Sequence, residues 1–229
     1  MQNAEKLFSE SDLLDVETSI VKAEEETSVE IVCAVATESG RYDRGECHFG
    51  IVVALLALVL FNLLRSWFEK DSGGFFDSGL PFYWQLATVV IGYVTGMIAA
   101  SYDTRLRMLL GTQEEIEEEV AKGARLVFLE QVLSSERLGG AVLLYVSLAE
   151  CRVAVMVDDR VKSALQEDCS KMVVDVQQRV TRLIQSEGVA KSLSAGVSLV
   201  ADRVKAAIPY REDDANELSN HVVLIHPRP

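Results

Sequence analysis

Histidine is scarce in this chain, and the three present (His48, His221 and His226) lie too far apart in sequence to suggest a shared metal set. The four cysteines, Cys33, Cys47, Cys151 and Cys169, include no C-x-x-C pair and no zinc spacing. No G-x-S-x-G nucleophile elbow occurs, and Ser147 has no histidine near it in sequence. The glycines Gly73, Gly74 and Gly79 lack the preceding strand and following Lys-Ser/Thr of a phosphate-cradling loop, so they suit a turn. Clustered Lys and Arg are also missing. With a net charge of −13, the chain is not a candidate for nucleic acid or for anionic lipid bound through a basic patch. The N-terminal MQNAEKLFSESDLLDVE is polar and acidic, unlike a secretory signal.

A further absence is positional. Charge disappears from Phe49–Leu64 (FGIVVALLALVLFNLL) and from Leu80–Ala100 (LPFYWQLATVVIGYVTGMIAA), inside an otherwise charged chain. A helix needs about 20 apolar residues to cross a bilayer core. The second stretch meets that unaided. The first gains length from Arg65, which can snorkel, and from the interfacial Trp67 and Phe68. The reading is a two-helix transmembrane hairpin over 49–102, with spans at about 49–68 and 80–101. Two crossings return the chain to its starting side, so the flanking segments share one compartment. Neither span core carries the charged residue that ion pathways normally use, which argues against a channel or transporter. Gly92 and Gly96 form G-x-x-x-G, suited to close packing against the first span or to self-association with another copy. Arg41, Arg44, Arg105 and Arg107 flank the hairpin on the domain side, against Arg65 and Lys70 in its loop. The positive-inside tendency then places the domain in the cytoplasm, on a multi-pass protein of the inner or plasma membrane.

The remaining residues suffice for one domain. Ser9 with Asp12 three residues later reads as a capping box, with Phe8 stapled onto Leu13. Leu13, Val16 and Ile20 mark a buried helix face, and Val29–Ala36 (VEIVCAVA) suits an interior strand. Beyond the hairpin, Thr112–Glu115 opens a helix expected to run to about Leu133, with Ile116, Val120, Leu126 or Val127, and Val132 inward. Strands at Ala141–Leu148 and Arg152–Val157 lie too close in sequence for anything but an antiparallel hairpin. Two amphipathic helices follow, one carrying Met172, Val176 and Val180, the other Leu193, Val197, Val200 and Val204. His221–Ile225 reads as an edge strand. The chain therefore divides into 1–48 and 103–209 as two parts of one soluble domain, the hairpin between them, and a tail over 210–229. Its class is α/β: a small mixed sheet covered by helices. Cys33 and Cys151 fall in strand-like apolar runs, where either buried free thiols or a disulfide between neighbouring strands fits.

Several segments resemble the TPM domain, the fold of a thylakoid-lumen photosystem repair protein and of many bacterial membrane proteins. Phe8-Ser9 and Thr27-Ser28-Val29-Glu30-Ile31 are similar to its first helix and its T-[SG]-x-E-I strand start. Gly140–Ser147 (GAVLLYVS) resembles its glycine-led second strand, followed by Glu150-Cys151-Arg152-Val153 and Val157-Asp158-Asp159. Asn216-Glu217-Leu218 resembles the N-E-L-[PS] closing a membrane-bound subgroup whose spans also interrupt the domain after the first strand. The resemblance implies a TPM-like fold, with phosphatase activity and calcium binding attributed to some members. The chain departs from the family's G-x-G-L-E segment, having Asp158-Asp159-Arg160-Val161 there.

Asp158 and Asp159 follow a strand, where open α/β folds usually bring ligands. Together with Glu30 they are the candidate ligands for a hard cation, calcium or magnesium. The competing reading has one of the pair capping the next helix while the other is solvated. Glu30, a carboxylate in an apolar strand, calls for a partner such as Arg152 or Arg125. Glu150 reads as a solvated turn residue, His221 and His226 as exposed tail residues. The functional expectation is a membrane-tethered module that binds or assembles other membrane proteins. The alternative is a divalent-cation-dependent phosphatase using Asp158, Asp159 and Glu30.

Overall fold

The computed structural model describes residues 3–68, 82–132, 140–211 and 220–229. The chain forms two compact units, one of Arg41–Ile116 and one joining Gln2–Gly40 to Glu117–Pro229.

The second unit is a mixed α/β fold. A short α1 (Ala4–Leu7) precedes α2 (Glu10–Glu24), whose first turn is closed by a reciprocal capping box between Ser9 and Asp12. Such a box satisfies two otherwise orphaned amides and stops the helix fraying at its start. β1 (Glu30–Ala36) is buried along its whole length, as its continuous apolar run requires. β2 (Ala141–Ser147) lies parallel to it, with Glu30 opposite Ala141 and Ala36 opposite Ser147. β3 (Arg152–Val157) returns antiparallel to β2, and β4 (Val223–Ile225) adds parallel to the other side of β1. The strand order is β3-β2-β1-β4. The tail thus supplies an edge strand.

Strand alternation sends side chains to two cores. Ile31, Cys33, Val35, Val142, Leu144, Val146, Val153, Val155 and Val157 face α2, α8 (Glu167–Glu187) and α9 (Val189–Val204). Those helices present Val16 and Ile20, Met172, Val176 and Val180, and Leu193, Val197 and Val200. Val32, Ala34, Ala141, Leu143 and Tyr145 face α6 (Gln113–Val132), through Val120, Ala124 and Val127. Of the two residues weighed for that helix face, Val127 is inside and Leu126 is 48% exposed. Each fully buried Leu or Val side chain contributes about 1.5–3 kcal/mol, so this two-sided burial is the main source of stability. Between β3 and α8 the chain forms α7 (Asp159–Leu165).

The four cysteines are free thiols. Cys33 is buried in β1, as expected, but Cys151 is exposed in the turn from β2 to β3, at φ +51°. Its apolar neighbours suggested a strand, yet the two-strand reversal needs its turn there, which removes Cys151 from the core and from pairing with Cys33.

The first unit is built on two apolar helices, α3 (Asp43–Phe68) and α4 (Phe82–Tyr102), followed by α5 (Thr104–Leu109). Gly92 and Gly96 are turned toward α3. A Cβ on Gly92 would lie 2.9 Å from Ala54 Cα, and one on Gly96 would lie 2.9 Å from Gly50 Cα. The small-residue motif therefore serves the approach of the two helices within the chain. Arg107 Nη1 donates to the Arg41 carbonyl at 2.9 Å, tying the two ends of this unit together. The connecting residues from 69 to 81 lie outside the described residues, and so does Asn216-Glu217-Leu218.

In the α/β unit an ideal Cβ on Gly40 would lie 2.8 Å from Glu119 Cβ, so the broken ends of this unit are neighbours. Replacing residues 41–116 by a short Gly/Ser linker should leave a soluble protein that unfolds cooperatively. Far-UV circular dichroism and thermal melts check this; an unfolded or aggregated product would contradict an autonomous core.

Candidate functional site

Apart from Ser192 on α9, the buried polar side chains described in the α/β unit lie at two opposite ends of the sheet. β1, β2 and β4 run the same way, so their C-terminal ends define one end of the sheet and their N-terminal ends the other.

At the C-terminal end, Glu150 sits in the β2–β3 turn but is buried, 7% exposed. Its Oε1 accepts from Ser39 N at 2.8 Å and from Gly40 N at 3.4 Å. Its other oxygen accepts a short hydrogen bond from Ser147 Oγ. Ser39 Oγ also bonds to Tyr145 OH at 2.8 Å and to Ser147 Oγ at 2.7 Å. Burial pushes the Tyr145 hydroxyl up to about 12, so it stays protonated and available as a donor. The expected solvated Glu150 is therefore corrected: the tight turn folds its carboxylate back over β2, where it holds the chain leaving β1. Alongside, Thr37 Oγ1 accepts from Ala4 N at 3.0 Å and pairs with His226 Nδ1 at 2.9 Å. Arg228 lies 3.3 Å from Glu38. His226 and His221 are exposed, as expected, although His221 Nδ1 meets Glu17 Oε1 at 2.7 Å.

At the N-terminal end, Glu30 opens β1 and is buried. Arg152 cannot be its partner, because the register places Arg152 opposite Ser147 at the far end of the sheet. Arg125 is exposed on α6. The group beside Glu30 is Glu24, at the end of α2, with a hydrogen bond between the two carboxyls. Glu24 Oε1 also accepts from Ile31 N at 3.3 Å. Burial first, and the Glu30 charge second, raise Glu24 to about 7. The pair lines a cavity of about 370 Å³ with Thr27, Ser28, Tyr210 and Asn220. Sequence reading missed Glu24. It does extend the buried Val16–Ile20 stripe by one further turn, and a carboxylate on that stripe was the signal.

Asp158 also lies at this end, because β3 is antiparallel to its neighbours. It follows β3 but stands at the N-terminal ends of the parallel strands, opposite to where such sheets usually bind ligands. Asp158 Oδ1 caps α7 by accepting from Val161 N at 2.8 Å. The Asp159 side chain is 98% exposed, 3.2 Å from Lys162 Nζ. The three carboxylates suggested as cation ligands thus have separate surroundings: a helix cap, a solvated ion pair and a carboxyl pair with Glu24. Among the described residues no group of three or more His, Cys, Asp or Glu side chains converges.

The sheet and its helical layers define a mixed α/β class. No family model matches the chain, and no curated protein matches it. Among solved structures it is similar to the NMR structure of the BA42 protein from the psychrophilic bacterium Bizionia argentinensis. Identity is 13% and the TM-score 0.48, over 97% of this chain and 99% of that one. That likeness is too weak to carry an inference.

Two outcomes follow from these surroundings. The folded state holds Glu24 protonated to about pH 7, whereas the unfolded chain ionises it near its ordinary 4.5. Stability from this group is full below 4.5 and is lost as pH rises through 7. Glu24→Gln should flatten the decline in melting temperature between pH 5 and 8 and raise it at pH 8; an unchanged profile would remove the carboxyl pair. Glu150→Ala should cost about 3 kcal/mol in chemical denaturation, while Asp159→Ala should stay within about 0.5 kcal/mol. Equal effects would contradict the assignment of one as buried anchor and the other as solvated.

Proposed function

We propose that the protein is a multi-pass inner- or plasma-membrane protein whose TPM-like α/β domain, tethered on the cytoplasmic side, binds or assembles other membrane proteins. The observation that carries this reading is the surface of α3 and α4. Gly45–Leu64 and Phe82–Tyr102 have mean hydropathies of 2.5 and 1.4, and only 11% of the apolar stretch in each is buried. A core helix of a water-soluble protein would hide such residues. Here Leu55, Leu56, Leu60, Leu63, Ile91 and Ile98 are each about half exposed or more. Apolar surface of that extent needs lipid or protein around it.

The binding role rests on how the polar groups are used. Ser39, Tyr145, Ser147 and Glu150 are spent on one another, and Asp158 on a helix terminus. A tethered domain gains effective concentration against weak partners in the same bilayer, which makes association useful without a reaction. No observation favours the cation-dependent phosphatase.

Alkaline carbonate extraction of membranes tests the tether. The intact chain should remain in the pellet, and a variant lacking 41–116 should be released. Release of the intact chain would overturn the reading. Phosphomonoester hydrolysis by the purified protein, abolished in Asp158→Asn, would replace the module with the enzyme.

A further inference from the structure

Among the described residues no strand pairs with the outer edge of β3. Antiparallel pairs alternate between those that exchange backbone bonds and those that do not. Asp158 N donates to Ala141 O at 3.0 Å, so Arg152, Ala154 and Met156 bond inward to β2, while Val153, Val155 and Val157 turn N–H and C=O outward. Among the described residues the only cap on these groups is Gln177 Nε2, 3.3 Å from Val153 O. The other sheet edge, β4, is only three residues long, a common way to blunt an edge. β3 has six residues, no proline, and charge only at Arg152.

The space beside this edge is shaped for a strand. A cavity of about 630 Å³ lies along the first half of β3, walled by Val120 and Ala121 of α6 on one side and by Gln177 and Thr181 of α8 on the other. A second, of about 380 Å³, continues beside Val155 and Val157. The next strand of the sheet would lie in this slot between the helical layers. Charge selects its occupant. In a chain of net charge −13, the slot is lined by Arg152 and Arg182 with one acid, Glu117, and Arg179, one turn back on α8, stands near Asp175.

We propose that β3 receives an extended segment of a partner protein as a fifth strand, apolar toward Val120 and Ala121 and acidic where it passes Arg152 and Arg182. Strand addition of this kind takes affinity from main-chain bonds and specificity from the alternate side chains. The proposal rests on the binding-module reading and names the surface that performs it.

The test uses the full chain in detergent micelles and a displayed library of random nonapeptides. Selected peptides should alternate apolar and polar residues and carry Asp or Glu toward one end. Val155→Pro deletes an outward donor without touching the ladder to β2, and should weaken their binding at least tenfold. Arg152→Glu with Arg182→Glu, at a half-buried and an exposed position, should do the same; retained thermal unfolding shows that each variant folds. Failure to select any peptide, or selected peptides that bind both variants as tightly as wild type, overturns the proposal. So does a dimer of the intact chain that Val155→Pro dissociates, since a second copy would then own the edge. If proteins that co-purify with wild type are retained by Val155→Pro, the module reading stands and the edge assignment fails; if neither form retains any, the module reading fails with it.

Discussion

The parallel ladder between β1 and β2 is the interaction on which the rest of this molecule depends. It joins residues 111 positions apart, with the two apolar helices in the interval. Joining distant segments costs entropy, but that cost grows only slowly with loop length. It is lower still when the interval is itself folded. The excursion ends close on themselves through Arg107 and the Arg41 carbonyl, and Gly40 lies against Glu119 in the α/β unit. The ladder then buries both strands completely, between α2, α8 and α9 on one face and α6 on the other.

Polar chemistry at the two ends of the sheet differs in kind. At the C-terminal end Ser39, Ser147 and Glu150 hydrogen-bond to one another and act as a fastening at the point where β1 gives way to the hairpin. At the N-terminal end Glu24 is buried beside a second carboxyl, Glu30, and burial first, with that neighbour's charge second, raises it to about 7. Well-satisfied polar networks specify a unique arrangement, and like-charged pairs make stability respond to pH. The first end sets the geometry of the split domain, and the second makes it sensitive to acidity.

Much of the fold was legible because local chemistry and packing agree. The Ser9–Asp12 box, the apolar run of β1, the reversal between β2 and β3, and the stripes of α8 and α9 each carry their own signal. The polar groups were less legible, because their partners are set by tertiary register. Glu150 looked solvated from its place in a turn, yet the turn closes over Ser147. Arg152 looked available to Glu30 until the antiparallel return of β3 carried it to the other end. The same reversal moved Asp158 away from the end of the sheet where ligands usually bind. Helix capping by Asp158 is among the readings the sequence offers, and Asp158 Oδ1 does accept from Val161 N.

Hydrogen exchange of the intact protein measures the central claim most directly. If the ladder and its fastening hold the split domain together, the buried amides of Val32 through Ala36 and that of Ser39 should exchange only through global unfolding, all with the same free energy. Exchange of Ser39 together with β1 at much lower free energy, while β2 and β3 stay protected, would show that the first segment docks loosely onto a core complete without it.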